Sequence, residues 1–293
     1  MLCEKRKEQV VELARQLIQQ QSYSGHEDKA AAVLTEGFKR LGYDDVFVDK
    51  YGNTVGILRG KRPGKKVLFD GHMDTVPVTD ESVWEHKPFE AEIVGDTLYG
   101  RGATDMKGAL AATACGAAFF AADCDRDFAG EIYVAGSVHE ECFEGVASRS
   151  LSEHFKPDYV IIAEASQLNM KIGQRGRAEI VFETFGKPAH SANPEKGINA
   201  VYKMAKLIDA VQKLVPTSHP VLGKGILELV DIKSEPYPGA SVVPEYCRAT
   251  YDRRLLVGET RESVLAPLQS AIDALSAADP DFHCKVSYAV GKE

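Results

Sequence analysis

The chain lacks any apolar run long enough to span a membrane, and its first residues are charged rather than apolar. A spanning helix needs about 20 mostly apolar residues, and a secretory signal needs an apolar stretch behind a short basic segment. The opening segment, MLCEKRKEQVVELARQLIQQQ, contains neither. We therefore expect no membrane association and no export, and we predict a cytoplasmic protein.

Paired cysteines and an excess of positive charge are also missing. The six cysteines, at positions 3, 115, 124, 142, 247 and 284, include no CxxC pair. A zinc–thiolate cluster or a dense disulfide framework is therefore not expected, and reduced thiols in a cytoplasm fit this usage. The formal net charge of −8 argues against general nucleic-acid binding, which needs a basic surface.

Strands and helices alternate through the first part of the chain. The spacing of Val10, Leu13 and Leu17 predicts an amphipathic helix. The Ala-rich segment 107–122 contains no proline and predicts a buried helix. Strands are predicted in VGILRG, KKVLFD, GEIYVAGSV and DYVIIAEAS. This alternation predicts an α/β fold in which helices cover a mostly parallel sheet.

The pattern changes near Gly173. Strand residues in KIGQRGRAEIVFETFG alternate in polarity, as in a half-exposed sheet. The predicted order becomes strand, helix, strand, strand, helix, strand, with helices over 198–214 and 260–277 and a last strand over 282–290. That order is typical of the ferredoxin-like α+β plan. We therefore predict two domains, 1–173 and 174–293.

Candidate metal ligands follow several of the predicted strands. In an open parallel sheet, ligands bind beyond the carboxyl ends of the strands. His72 and Asp74 follow VLFDG, the triplet 139–141 (His-Glu-Glu) follows IYVAGSV, and Glu164 follows YVIIA. The loop GRGATDMKG adds Asp105. Each is better explained singly as a solvated turn residue, but carboxylates gathered at one edge repel unless cations neutralise them. Imidazole with carboxylates suits zinc, cobalt or manganese.

The chain resembles the M20 metallopeptidases in the segments GHMDTVP, GRGATDMKGALAA and HEE and in Glu164. That family contains acetylornithine deacetylase, succinyl-diaminopimelate desuccinylase, aminoacylase and carboxypeptidase G. The segments GQRG, GKPAHSANPEKGINA and VVPEYCRATYDRR resemble its lid domain. Within that family, the chain most resembles the hydrolases linked to selenium-metabolism gene clusters. The resemblance implies a zinc-exopeptidase-like catalytic domain, a ferredoxin-like lid and a homodimer formed through the lid.

The resemblance also implies two divalent metal ions, with zinc favoured over cobalt or manganese. His72, Asp105 and Glu164 would hold one ion, and Asp105 would bridge to a second ion shared with Glu141. Asp74 would hydrogen-bond the other ring nitrogen of His72 and fix its tautomer, since residues two apart on an extended chain point to the same side. The peptide bond after Asp105 is often cis in this family.

Glu140 would be the general base of the implied reaction. It would take a proton from water held between the metals, and the hydroxide would attack an amide carbonyl that the metals polarise. The predicted activity is a deacylase or amidohydrolase that cleaves an N-acyl amino acid or a related small amide. A dipeptidase or carboxypeptidase of the same mechanism is the alternative, because the sequence does not show whether an acyl group or a free amine is recognised.

Three residues of the second domain match lid positions of the family. His190 matches a histidine that reaches a neighbouring subunit's active site and stabilises the oxyanion, although a surface loop residue beside proline and serine would also explain it. Arg254 matches an arginine that binds a substrate carboxylate, although a strand-end salt bridge would also explain it. Asn199 either lines the same cleft or starts a helix. Ser241 stands where many relatives have asparagine, so substrate identity does not transfer.

The chain stops at KVSYAVGKE, before the family's return to its catalytic domain. That return supplies a late histidine to the second metal, and the histidines at 26, 86, 154, 219 and 283 match no such motif. We therefore expect a C-terminally truncated chain whose second metal site is incomplete and binds weakly. The missing ligand also leaves open a non-catalytic binding or dimerisation protein.

Overall fold

The fold is that of a computed structural model, in which residues 3–142 and 145–289 are described. The predicted C-terminal truncation concerns a part of the chain outside the described residues. The last residue of the predicted strand 282–290 also lies outside them. The chain divides into two compact units, Met1–Met170 and Lys171–Glu293. No helix within the described ranges combines the length and apolar character that crossing a membrane requires.

The first unit alternates strands and helices. Its helices are α1 (Glu4–Ile18), α2 (Asp28–Arg40), α3 (Gly108–Asp123) and α4 (Val146–Phe155). Its strands are β1 (Asp45–Val48), β2 (Thr54–Arg59), β3 (Arg62–His72), β4 (Glu92–Val94), β5 (Thr97–Tyr99), β6 (Ala129–Ser137) and β7 (Tyr159–Ile162). The pair β4 and β5 forms a separate hairpin.

Five of these strands form one sheet in the order β1-β2-β6-β3-β7. Strand β3 is parallel to both β6 and β7, whereas β2 is antiparallel to β6 and to β1. Consequently β1, β6, β3 and β7 run in one direction and only β2 opposes them. The prediction of a mostly parallel sheet is confirmed.

The larger core cluster of this unit lies between the sheet and helices α1 to α3, and a smaller cluster includes Leu151 and Phe155 of α4. Helix α2 buries one face, with Ala30, Leu34 and Phe38 wholly inside, because its apolar residues recur at helical spacing. The Ala-rich helix α3 is apolar around much of its circumference and packs against α1, β3 and β6. Small alanine side chains allow this close approach on more than one side.

The second unit is an α+β layer. It contains β8 (Gly176–Phe185), α5 (Ala200–Gln212), β9 (Ser218–His219), β10 (Gly223–Lys224), β11 (Ile226–Glu235), β12 (Tyr246–Leu255), α6 (Arg261–Ala278) and β13 (His283–Tyr288). The antiparallel sheet has the order β11-β12-β8-β13, and α5 and α6 pack against it and each other. This order is that of a ferredoxin-like sheet, as the sequence predicts. The core includes Phe182, Leu207 and Tyr251.

Leu34 gives a test of the first unit's core. Its side chain is 0% exposed between α2 and the sheet, so Leu34→Ala should lower the free energy of unfolding by about 2–5 kcal/mol. Chemical denaturation measures this change. The same substitution at the exposed Leu168 is the matched control and should have almost no effect; equal losses at both positions would contradict the described packing.

Asp279 should make the second unit's stability depend on pH. Hydrogen bonds from Lys203 and Lys206, at 2.8 and 2.9 Å, lower the pKa of Asp279 from its ordinary 3.8 to about 2. A lowered folded-state pKa gives stability that is present above pH 3.8 and lost as the pH falls towards 2. Asp279→Asn should therefore destabilise the protein at neutral pH, and its difference from wild type should vanish near pH 2. A pH-independent difference in unfolding midpoints would refute this linkage.

Candidate metal centre

Three neighbouring parallel strands bring the predicted ligands to one edge of the sheet. His72 is the last residue of β3 and pairs in register with Ser137, the last residue of β6. On the other side of β3, Asp70 pairs with Ile162, the last residue of β7. Residues 139–141 and Glu164 therefore lie just beyond the ends of β6 and β7, the two strands that flank β3 and His72.

The side chains of these segments meet around one ring nitrogen. Nε2 of His72 lies 2.9 Å from Asp105 Oδ1, 3.4 Å from Glu164 Oε1 and 3.9 Å from Glu140 Oε2. Two groups have donor atoms within 4.8 Å of one another, His72 with Glu140 and Glu164, and His72 with Asp105 and Glu141. The predicted grouping differs, because it joined Asp105 with Glu164 and kept Glu140 apart from the ligands.

The other ring nitrogen of His72 faces Asp74. Nδ1 lies 2.9 Å from the main-chain oxygen of Asp74 and 3.5 Å from its Oδ1, and both side chains are buried. An Nδ1–H that donates to Asp74 would leave Nε2 as the ring nitrogen available to an ion, as a ligating imidazole requires. The contact between Nδ1 and the main-chain oxygen of Asp74 was not predicted. The spacing of residues in the sequence indicates the direction of their side chains, but it does not indicate how the backbone turns after the strand.

Asp105 lies in an irregular turn, Ala103–Lys107, that leads into α3. The peptide bond between Asp105 and Met106 is cis, as the resemblance predicts. The Asp105 side chain is 60% exposed, whereas Lys107 is completely buried and donates from Nζ to the main-chain oxygen of Gln20. Burial lowers the pKa of Lys107 to about 8.

The carboxylates favour positive charge at His72. Burial would lower the pKa of the His72 imidazole, but hydrogen bonds to Asp74 and Glu164, and the charges of those two carboxylates, raise it to about 11. The hydrogen bond to His72 in turn lowers the pKa of Glu164. The cluster thus stabilises a cation at the position that Nε2 faces.

The paired glutamates experience the opposite effect. Burial, followed by repulsion from Glu164, Glu141 and Asp74, raises the pKa of Glu140 to about 7 despite the attraction of His72. Burial and the charge of Asp105 raise the pKa of Glu141. A divalent cation would relieve this repulsion, and one imidazole with several carboxylates is a donor set that divalent metals accept. The residues therefore fit a metal centre.

The predicted residues of the second unit have local partners. Asn199 caps α5, where its side-chain oxygen accepts hydrogen bonds from the N–H groups of Val201 and Tyr202. Arg254 donates from Nε to Asp252 at 3.0 Å. His190 is exposed, and its Nδ1 accepts from the N–H of Ala192. These contacts are those expected of a helix cap, a strand ion pair and a surface loop.

Sequence reasoning missed three residues beside the centre. Asp70 is buried on β3 and accepts a hydrogen bond from Ser148 at 3.0 Å, and burial raises its pKa. Ser24 donates a hydrogen bond to Asp74, and Glu27 accepts one from the N–H of His139 in the 139–141 turn. Their S-x-x-E spacing is a helix-capping signal, so it would point to the start of α2 rather than to this site.

The chain is similar in sequence to known proteins. The model of peptidase family M20/M25/M40 matches residues 68–227, more than half of the chain. A succinyl-diaminopimelate desuccinylase of Dinoroseobacter shibae is 30% identical over 278 residues, which are 91% of this chain and 73% of the relative.

Two solved structures have the same fold. Human carnosine dipeptidase 1 superposes with a TM-score of 0.71 at 19% identity, covering 98% of this chain and 78% of that one. A Bacillus subtilis protein described as a dinuclear metal-binding peptidase of the M20 family gives 0.66 at 11% identity, with 98% and 74% covered. The family match and the desuccinylase likeness extend across the metal centre, and the chain therefore belongs to peptidase family M20/M25/M40 as an M20-type metallohydrolase.

Proposed function

We propose that the protein is a metal-dependent amidohydrolase that cleaves the amide bond of an N-acyl amino acid. The observation that carries the proposal is the convergence of four carboxylates, from Asp105, Glu140, Glu141 and Glu164, on buried His72. The likeness to a desuccinylase, whose name describes removal of a succinyl group from an amino acid, favours an acyl substrate over a free peptide.

In this proposal His72, Asp105 and Glu164 hold one divalent ion, and Asp105 and Glu141 contribute to a second. Zinc suits this mixture of imidazole and carboxylate donors, and cobalt or manganese could occupy the same ligands. A bound ion would polarise the amide carbonyl and make a coordinated water more acidic. Asp74 would keep His72 in the ligating tautomer through the contacts at Nδ1.

Glu140 is the proposed general base. Its carboxylate is farther from His72 Nε2, at 3.9 Å, than those of Asp105 and Glu164, at 2.9 and 3.4 Å. Burial is the largest cause that raises the pKa of Glu140, and a raised pKa suits a group that must both accept and return a proton near neutral pH. Glu140 would take a proton from the attacking water and deliver it to the leaving amine.

The substrate contacts of the second unit are proposed from the resemblance. Arg254 would bind the substrate carboxylate, Asn199 would line the cleft, and His190 would stabilise the oxyanion in a neighbouring subunit of a homodimer. Arg254 and Asn199 would have to exchange their contacts with Asp252 and the start of α5 for substrate. Because Arg254 is proposed to bind a carboxylate, substrates that carry a carboxylate should be assayed first.

A substrate panel tests the proposed activity. The chain should be loaded separately with Zn²⁺, Co²⁺ and Mn²⁺ and offered N-acetyl and N-succinyl amino acids alongside dipeptides of the same side chains. We expect hydrolysis of acyl amino acids that Glu140→Gln lowers strongly. Preferential cleavage of dipeptides would make the protein a dipeptidase instead, and no metal-dependent hydrolysis of either class would favour a non-catalytic role.

Glu140→Gln should separate catalysis from metal binding. Removing the general base should lower kcat by about 10²- to 10⁴-fold, while zinc affinity measured by titration calorimetry should change little. Glu153→Gln, at an exposed position of α4, is the matched control and should keep wild-type kcat. A parallel loss of zinc affinity in Glu140→Gln would identify Glu140 as a ligand and remove it from the proposed role.

Asp74→Asn should weaken metal binding without removing a proposed ligand. Loss of the carboxylate behind a ligating histidine costs about 10- to 100-fold in metal affinity, and His72→Ala should cost more. His86→Ala is the control, because His86 pairs with Glu92 and stacks on Tyr99 outside the cluster. Calorimetry and zinc-dependent shifts of the unfolding temperature measure these effects; unchanged affinity in His72→Ala would exclude the proposed centre.

A further inference from the structure

The loop formed by residues 20–27, between α1 and α2, is hydrogen-bonded to three segments of the candidate metal centre. Its Gln20 carbonyl accepts from Lys107 Nζ at 2.7 Å, two residues after Asp105. The hydroxyl of Ser22 donates to the main-chain oxygen of Met73 at 2.6 Å, between His72 and Asp74. The loop is therefore bonded to the His72 strand end and to the turn before α3.

Glu27 joins the same loop to the turn at residues 139–141. One of its oxygens, Oε1, accepts the N–H of Gly25 at 3.0 Å and the N–H of His139 at 3.1 Å. The Glu27 residue is only 5% exposed. A buried carboxylate oxygen that accepts two main-chain donors is costly to remove, since both donors would lose their partner.

Asp74 holds the two residues that follow His139. Its Oδ1 accepts the N–H of Glu140 at 3.2 Å, and its Oδ2 accepts the N–H of Glu141 at 3.0 Å. Ser24 fixes this carboxylate by donating to Oδ2 at 2.6 Å. Three consecutive N–H groups, of residues 139 to 141, thus end on two buried carboxylates.

The 139–141 turn needs this external support. His139 has φ of 58°, a left-handed conformation that a non-glycine residue adopts at a cost of about 1–3 kcal/mol unless its surroundings impose it. The turn lies beyond the end of β6, so no strand partner holds its N–H groups. It nevertheless directs Glu140 into one donor group and Glu141 into the other.

Helix α2 does not use these side chains. Its N-cap residue, Glu27, makes no side-chain hydrogen bond to the helix, and the Ser24 hydroxyl goes to Asp74. The two side chains with the capping spacing, Ser24 and Glu27, therefore contact residues 74 and 139 and do not cap the helix. A role in starting the helix does not account for either contact.

We infer that Glu27 and Ser24 are positioning residues that hold the 139–141 turn, and through it Glu140 and Glu141, in the geometry of the metal centre. Glu27 acts directly on the His139 N–H, and Ser24 acts through Asp74. The expected effect of these residues on metal binding and hydrolysis rests on the proposed function. Their effect on the conformation of the 139–141 turn is independent of that function.

Glu27→Ala and Glu27→Gln form the decisive pair of variants. A single oxygen accepts both N–H groups, so the glutamine carbonyl can replace it, whereas alanine cannot. Ser24→Ala and Ser24→Thr form the second pair, since threonine keeps a hydroxyl for Asp74. Hydrogen exchange measured by mass spectrometry should show faster exchange of the 138–142 amides in both alanine variants, with wild-type exchange in β2 and α3 of the same unit as the control for folding.

The same variants are then titrated with zinc and assayed. We expect about a 10- to 100-fold loss of zinc affinity in Glu27→Ala, with a lower kcat and little change in KM, and recovery in Glu27→Gln. Unchanged exchange at 138–142 in Glu27→Ala overturns the inference, and so does faster exchange with wild-type zinc affinity and kcat. If wild type neither binds zinc nor hydrolyses substrate while the exchange difference persists, the proposed function fails and the holding of the turn is supported.

Discussion

The repulsion among carboxylates at the end of a parallel sheet is the constraint on which the rest of the structure depends. Asp105, Glu140, Glu141 and Glu164 all approach one imidazole, and the pKa of Glu140 rises to about 7 through burial and the charges around it. Like charges at this separation would push exposed side chains apart unless a cation joins them. The fold opposes that tendency by holding the backbone of the 139–141 turn and the strand end at His72, and the candidate ligands are thereby kept close together.

Exposure divides this centre into two layers. The Asp105, Glu164 and Glu140 side chains are about half exposed, at 60%, 43% and 42%, so an ion and a substrate can reach them. His72 and Asp74 beneath them are almost wholly buried. Buried hydrogen bonds hold their geometry more firmly than exposed ones, which places the rigid part of the centre in the interior and the reactive part at the surface.

The sequence predicts what depends on periodicity and misses what depends on tertiary contacts. The strands ending at His72, Ser137 and Ile162 follow from apolar runs, and their carboxyl ends had to share an edge because the sheet is mostly parallel. No periodicity links Glu27 to His139, which lies 112 residues away. In the second unit, Asn199 and Arg254, which are predicted to bind substrate, have local partners, because capping and ion pairing use the same side-chain chemistry as recognition.

A turn that carries two functional carboxylates cannot be specified by its own residues alone. Beyond β6 the chain leaves the sheet, and His139 takes a left-handed conformation that its own side chain does not favour. Its N–H groups can be satisfied only by water or by acceptors from elsewhere, and water would let the turn relax under the repulsion between its glutamates. Acceptors from residues 27 and 74 remove that freedom. The placement of Glu140 and Glu141 that we infer therefore depends on two carboxylates, of Glu27 and Asp74, and the loop before α2 supplies one of them.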